Sequence, residues 1–564
     1  LLLVLMSAAY LWQHFYGEKW VKQYAENLIA RESDSLYSLK IGDLSINLIA
    51  GRVTITDAEL IPDTNVYKRL KAKGHVPPFL VHAKFTSLKI RGFETARAIR
   101  EKEVSVSRIL IENPEVYLVR MSLPDTIIKD TTAIKRSLSL AIPKGLNSVQ
   151  LKMLKITQGK FDYTDRTISP VRHFQVPELD VEVTNFMQDK GKDYSDKIFN
   201  SDDISVTFKG LAMNTPDSNY RLSLAAISIS TKSQAISIDS FRLTPLVSRA
   251  VYFKKVGYQT DQFNVLIGRI NLANIYYPGI LLNNYFHSSH VLVEGMNIQV
   301  YRDKRVPRRP NFKPKMPQAA IRSLKARIIV DSITLVKGYA QYEEQVGDEP
   351  GKIFFDQISG KITNFTSDST LWRTRIMEID GKAMLMGKGL LKAHVYMPIY
   401  PKNNAFVFSG TVNPFDLTAV NPMLTKLAPA KIIAGRCDQI TINPVKANDD
   451  FSQGTMEFLY SDLNVEMEKK DEKTWTSIKT GALNIAANTF VVNSNPKNGN
   501  LKTGIIYFNR DKSKGIINFL WKSVFSGIKS TVGINTKDQK EIKKERKQER
   551  REEKKQEKKN KKNT

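Results

Sequence analysis

The chain has 564 residues, 41% of them hydrophobic and 25% charged, enough apolar material for several folded bodies and far from the composition of a disordered polymer. A single cysteine excludes an internal disulfide framework. The net charge of +28 favours anionic partners such as lipid headgroups, cell-surface polymers or nucleic acid, without choosing among them. Part of that charge is local: residues 536–564 hold 14 Lys or Arg against 7 Asp or Glu.

Leu1 to Tyr16 is an uncharged, apolar stretch that would span about 24 Å as a helix, short of a bilayer core of about 30 Å. It reads as a transmembrane signal anchor truncated at its start, with Trp12, Tyr16 and Trp20 toward the far interface. A cleaved signal peptide, with Ser7-Ala8-Ala9 near its end, is the alternative. Residues 17–38 then read as a helical stalk, with Trp20, Tyr24 and Leu28 on one stripe.

From residue 39 the period changes to two. Leu39, Ile41, Leu44 and Ile46 alternate before Gly51, and Val53 and Ile55 after it, which predicts a hairpin. Val104, Val106, Ile109 and Ile111 form a strand broken at Asn113-Pro114, a proline that suits an edge or a bend. Strands are predicted through Leu151–Ile156, Phe161–Tyr163, Leu179–Val183, Ile204–Phe208, Tyr220–Leu224, Ile227–Ile229 and Ile236–Ile238. The Pro/Lys/Arg stretch 302–320 reads as a linker. Strands resume with Ile328, Val330, Ile333 and Leu335, and continue to Thr480–Val492. Almost no helix is expected from residue 39 to 410. Residues 513–535 switch back to a spacing of three and four, which predicts a cationic amphipathic helix. The remainder, 536–564, reads as a charged tail, either disordered or an exposed helix.

The chain also repeats itself. Tyr163 to Phe186 recurs 179 residues later as Tyr342 to Phe365, each copy with a preceding glycine (Gly159, Gly338) and a closing tripeptide, Thr184-Asn185-Phe186 and Thr363-Asn364-Phe365. Leu88, Ile109 and Tyr117 are echoed 184 residues on by Leu272, Val293 and Tyr301. Duplication of a β-rich unit predicts two modules, 39–301 and 321–512, and a long antiparallel sheet rather than one enzyme pocket.

Catalytic signatures are missing. No phosphate-binding loop, nucleophile elbow, His-Glu-x-x-His helix or Cys-x-x-Cys pair occurs. His287 and His290 stand three apart with no Cys or acidic residue nearby, so neither a metal nor a cofactor is expected, and the chain is read as a non-enzyme. Lys and Arg form no stripe tied to an aromatic-bearing module, which argues against nucleic acid.

A long sheet with one apolar face either pairs with a second sheet in a sandwich or curls into a trough, and sequence period does not separate the two. A trough would cover acyl chains, each CH₂ removed from water contributing about 0.8 kcal/mol. The lipid-facing candidates are Ile109, Ile111, Leu154, Ile156, Val181, Val183, Val206, Phe208, Ile229, Ile238, Leu335, Phe355, Ile362 and Phe408. Trp521, Phe525, Lys522 and Lys529 of the amphipathic helix are the membrane-surface candidates.

Several segments resemble the AsmA-like superfamily of bacterial envelope proteins, in its Bacteroidota-type form. They are the apolar start followed by Leu39-Lys40-Ile41-Gly42-Asp43-Leu44, Ser107 to Arg120, Gly360 to Phe365, Phe408 to Val412, and Tyr507 to Gly533. That resemblance implies a taco-like β groove akin to bridge-like lipid-transfer proteins. It implies a single-pass inner-membrane location with the bulk of the chain in the periplasm, and binding or conduction of phospholipid or another acyl lipid. Support of outer-membrane assembly or lipid homeostasis would follow, with outer-membrane or envelope proteins as partners. It carries no catalytic residues. The competing expectation is a non-catalytic envelope scaffold or adaptor whose β body is closed.

Overall fold

The computed structural model describes residues 17–47, 49–72, 77–121, 146–169, 171–190, 200–283, 285–428, 430–467, 492–534, 538–542 and 544. The stretch read as an anchor, most of the strand read at Thr480–Val492 and most of the charged tail lie outside them. The described chain is mostly β. It runs α1 (Gly17–Glu32), β1 (Tyr37–Asn47), β2 (Arg52–Pro62), α2 (Thr64–Ala72), β3 (Phe79–Arg91), α3 (Thr95–Arg100), β4 (Glu103–Glu112) and β5 (Glu115–Arg120). Then come β6 (Ser148–Asp165), β7 (Arg172–Asp189), β8 (Asp203–Asn214), β9 (Tyr220–Ser230), β10 (Ala235–Pro245), α4 (Arg249–Val256), β11 (Asp261–Ala273), α5 (Tyr277–Asn283) and β12 (Tyr285–Asp303). After α6 (Pro317–Arg322) follow β13 (Arg327–Gln345), β14 (Pro350–Thr366), β15 (Met377–Leu385), β16 (Gly389–Met397), β17 (Phe406–Val412) and β18 (Phe415–Asp416). A 3₁₀ turn, α7 (Asn421–Leu427), β19 (Ala430–Ala447), β20 (Phe451–Met467), β21 (Gly504–Asn509) and α8 (Ile516–Val532) complete it.

These elements fall into two compact units. One takes the described residues up to Leu243 with Arg269–His287; the other takes Thr244–Gly268 and those from Ser288 onward. In the first unit β1, β2 and β3 form an antiparallel meander, and β6 to β9 another. Asn113-Pro114 splits one long run into β4 and β5, both antiparallel to β3 and both parallel to β6. A purely antiparallel body was expected from the hairpin pattern; the parallel pairing joins segments whose alternation alone carries no direction. The core of this unit is sealed by α1, whose Val21 and Ala25, one turn apart, lie buried among Ile41, Ile55, Val104, Val106 and Ile109.

In the second unit β13 to β17, β19, β20 and β21 pair antiparallel in succession. The core is built from Phe406, Phe408, Phe458, Tyr460 and Met456, and Phe519 of α8 closes it. Met316 and Ile321 belong to it too, so the Pro/Lys/Arg segment after β12 is nailed down at its C-terminal end. Cys437 is fully buried there, and burial pushes its thiol up to about 12.

The repeat holds to the register. Gly159 of β6 faces Leu179 of β7, and Gly338 of β13 faces Ile358 of β14, each between two bulges. Gln158 and Lys337, the residues before those glycines, have φ of 54° and 55°. Asn185 and Asn364, central in the repeated tripeptides, have φ of 50° and 59°, a left-handed conformation that asparagine tolerates better than most side chains.

The expectation of a transmembrane helix is not met among the described residues. Among the described residues no helix is long and apolar enough to cross a membrane. α1 carries Glu18, Lys19, Lys22, Glu26 and Arg31, and α8 spends its apolar face on the core. The location as a single-pass inner-membrane protein with a periplasmic body, and the role as an anchored lipid conduit for outer-membrane assembly, lose their footing with it. The lipid-facing candidates differ in burial. Ile109 and Phe408 are sealed inside cores, 1% and 6% exposed. Ile111, Leu154 and Ile362 pack against those cores. Ile156, Val181, Val183, Val206, Phe208, Ile229 and Ile238 are half-buried in the first unit, and Leu335 and Phe355 in the second.

Candidate interaction site beside helix α8

At the C-terminal ends of β12 and β13, the amide of Lys304 donates to the carbonyl of Gln345, and strand alternation sorts the charged side chains onto two faces. On one face the guanidinium of Arg302 grips Asp261 of β11 through Nε and Nη2, both at 2.7 Å. Beside it, Glu344 accepts from the Lys304 ammonium at Oε1 and from the Tyr342 hydroxyl at Oε2, 2.7 Å away. Glu344 is 6% exposed, and burial together with Glu344 raises the Tyr342 hydroxyl well above the ordinary phenol range.

On the other face, Arg249 at the start of α4 lies 4.0 Å over the Tyr301 ring and pairs with Glu343 at 2.7 Å. Gln341 donates to the second oxygen of Glu343 at 2.8 Å, and Tyr301 donates to Gln345. A cavity of about 280 Å³ opens here, lined by Arg249, Gln262, Gln299, Tyr301, Gln341 and Glu343. Its one carboxylate is already held by an arginine and an amide. Ser248, also in the lining, caps α4 by accepting from the Val251 amide.

Charges of the first face act on Lys514 and Lys522, at and in helix α8. That helix lies close on β20 and β21 through Ser523, Ser526, Gly527 and Ser530, all buried; a Cβ on Gly527 would come within 2.7 Å of Ile506. Ile517 and Trp521 are exposed, the latter stacked on Phe525 at 5.6 Å between ring centres. Lys514, Lys522 and Lys529 are half-buried. Burial lowers all three ammonium groups, and Lys522 falls to about 8, with Lys304 and Lys529 adding repulsion. Arg302, Lys304 and Arg308 act on Lys514 in the same sense.

Of the four membrane-surface candidates, Trp521 faces outward, whereas Phe525 packs against the small cluster of Leu427, Ala428 and Ala430. Lys522 and Lys529 turn partly inward, Lys529 lying 5.4 Å over the Phe525 ring. The charge cluster of Arg302, Lys304, Tyr342, Glu344 and Lys514 was not singled out from sequence. A signal for it existed: Arg120, Tyr163 and Asp165 stand at the same 184- and 179-residue offsets from Lys304, Tyr342 and Glu344. The first unit repeats the arrangement, with Arg120 3.6 Å from Asp165 and Tyr163 donating to Asp165 at 3.4 Å.

His173 pairs with Asp162, His394 with Asp380, and His290 with Ser332, so these rings are engaged between neighbouring strands. Among the described residues no group of three or more His, Cys, Asp or Glu is placed to hold a metal ion. No protein-family model matches the chain, and no curated protein matches it. The resemblance drawn from the segments quoted above therefore has no counterpart in these comparisons.

Proposed function

We propose that this chain is a non-catalytic scaffold, an adaptor whose β units hold a cationic surface in place for an acidic partner. The observation that carries this reading is the duplicated triad: both units spend the same tyrosine, carboxylate and cation on fastening strand ends, Arg120–Asp165–Tyr163 and Lys304–Glu344–Tyr342. A carboxylate fixed by a cation and a phenol is a poor proton carrier and a good structural tie. Further carboxylates are used alike: Glu115 holds Lys84, Lys160 and Tyr117, and Asp261 holds Arg302. The excess positive charge then remains for recognition.

Photo-cross-linking in the native cell tests this. A benzophenone side chain at Ile517 or Trp521, both exposed on α8, should repeatedly capture one acidic protein, while the same probe at exposed Tyr396 of β16 should not. Identical, unselective cross-linking from all three positions, or none from any, would sink the adaptor reading.

A further inference from the structure

We propose that the cavity lined by α4, β11, β12 and β13 of the second unit is a binding site for one neutral saccharide unit, its hydroxyls met by glutamine and asparagine amides and its C–H face by Phe263. This goes beyond the adaptor reading and does not rest on it, since it concerns the face of β13 that carries Glu343, not the one that carries Glu344.

Three observations point there. The first is size: a volume of about 280 Å³ lies just below the range of about 300–1,000 Å³ usual for small-molecule sites, which suits a single sugar ring. The second is that the charged groups of the wall are already paired. Arg249 is held by Glu343 at 2.7 Å and lies over the Tyr301 ring, Gln341 completes Glu343, and Ser248 caps the start of α4. Neither an anion nor a cation meets an open counter-charge there, so the guest that the wall suits is uncharged. The third is the set of amides left over. Gln262 is only 5% exposed, yet its Nε2 makes one long hydrogen bond, 3.5 Å to the Val247 carbonyl, and its Oε1 accepts none among the described residues. Gln299 likewise reaches only Asn297, at 3.5 Å, and the exposed Asn264 side chain makes no hydrogen bond among the described residues. A primary amide both donates and accepts, as a hydroxyl does, and a sugar presents such groups in a row. A buried amide oxygen without a donor costs free energy that a ligand hydroxyl recovers. Phe263, 40% exposed between Gln262 and Asn264, supplies apolar surface for the C–H face of the ring.

Saturation-transfer NMR on the full chain tests this, with glucose, galactose and mannose as the probes. At least one should bind, with a dissociation constant of about 1 mM. Q264 is not involved; the paired variant Q299A/N264A, on side chains that hold little of the chain, should weaken that sugar about tenfold and leave the urea midpoint unchanged. F263A should weaken it about threefold and F263W should restore it. K446Q, on an exposed lysine of β19, should change nothing. Methyl glycosides of the bound sugar separate the two sources of such a unit: binding of either anomer places the end of a glycan in the cavity, and exclusion of both places a free sugar there. No transfer to any of the three sugars, or equal affinity in the parent and Q299A/N264A, would overturn the site. Glucuronate binding more than about tenfold tighter than glucose would overturn it in favour of an anion seat on Arg249. Unselective cross-linking at Trp521 with sugar binding intact would remove the adaptor and leave this site standing.

Discussion

Tyr342 donates to Glu344 two residues along β13, as Tyr163 donates to Asp165 two residues along β6, and a cation at or just past the end of another strand, Lys304 or Arg120, completes each set. The second copy is the more buried pairing, its lysine and glutamate side chains 19% and 8% exposed. Removing one partner leaves the other charge buried alone. E344Q should therefore cost about 2 kcal/mol, while K304M/E344Q, which removes both charges and leaves Tyr342 an acceptor, should recover most of it. Urea unfolding of both variants checks this; a double mutant less stable than E344Q would contradict the buried-pair account.

Gly159 and Gly338 sit at equivalent bulges, and a side chain has no room at either. A Cβ on Gly338 would lie 2.9 Å from Cβ of Ile358, and one on Gly159 3.0 Å from the Leu179 carbonyl oxygen. G338A should lose about 1–3 kcal/mol through overpacking, with G159A losing a similar or smaller amount. Unchanged denaturation midpoints would mean that the bulges relax freely.

Glu115 carries a pH dependence. Its hydrogen bond from Lys84, then those from Tyr117 and Lys160, hold its carboxyl down at about 2 in the folded chain, against an ordinary value of 4.5. The stability it confers is therefore complete above about pH 4.5 and drains away as pH falls toward about 2. With solvent screening allowed for, that is about 1 kcal/mol. E115Q should flatten the stability profile across that acid window and leave its shape above pH 6 unchanged; an undiminished acid slope in E115Q would contradict it.

Lys522 behaves in the opposite range. Its ammonium is disfavoured in the folded chain, so between about pH 8 and the ordinary lysine value of 10.5 the unfolded state binds more protons, and stability should rise with pH. K522M should abolish that rise and be more stable than the parent at neutral pH. Parent and variant profiles running parallel from pH 8 to pH 10 would refute a depressed lysine here.

The end strands are guarded by helices. Backbone amides of Ile41 and Ile46 on β1 donate to Glu26 and Glu18 of α1, and Lys22 reaches the Gly42 carbonyl. On β21 the amides of Ile505 and Tyr507 donate to Ser530 and Ser526 of α8, and Gln539 donates to the Ile505 carbonyl. Such side chains occupy groups that would otherwise recruit another strand. S526A/S530A should expose two amides and promote self-association, seen as a rise in light scattering with protein concentration. A variant as monodisperse as the parent would show the serines to be incidental.

Much of this was legible in the residues. Period-two alternation marks most strands because a pleated chain puts every second side chain into the core, and the 179-residue repeat carried its own register, bulge glycines and left-handed asparagines included. Those are local properties, set within a few residues of each position. The tertiary structure decided the rest: that β4 and β5 run parallel to β6, that α1 and α8 close cores and guard edges, and that Arg302 meets Asp261 while Lys304 meets Glu344. Such partners lie tens to hundreds of residues apart, and the period of a strand states which face a side chain takes but not what will meet it there.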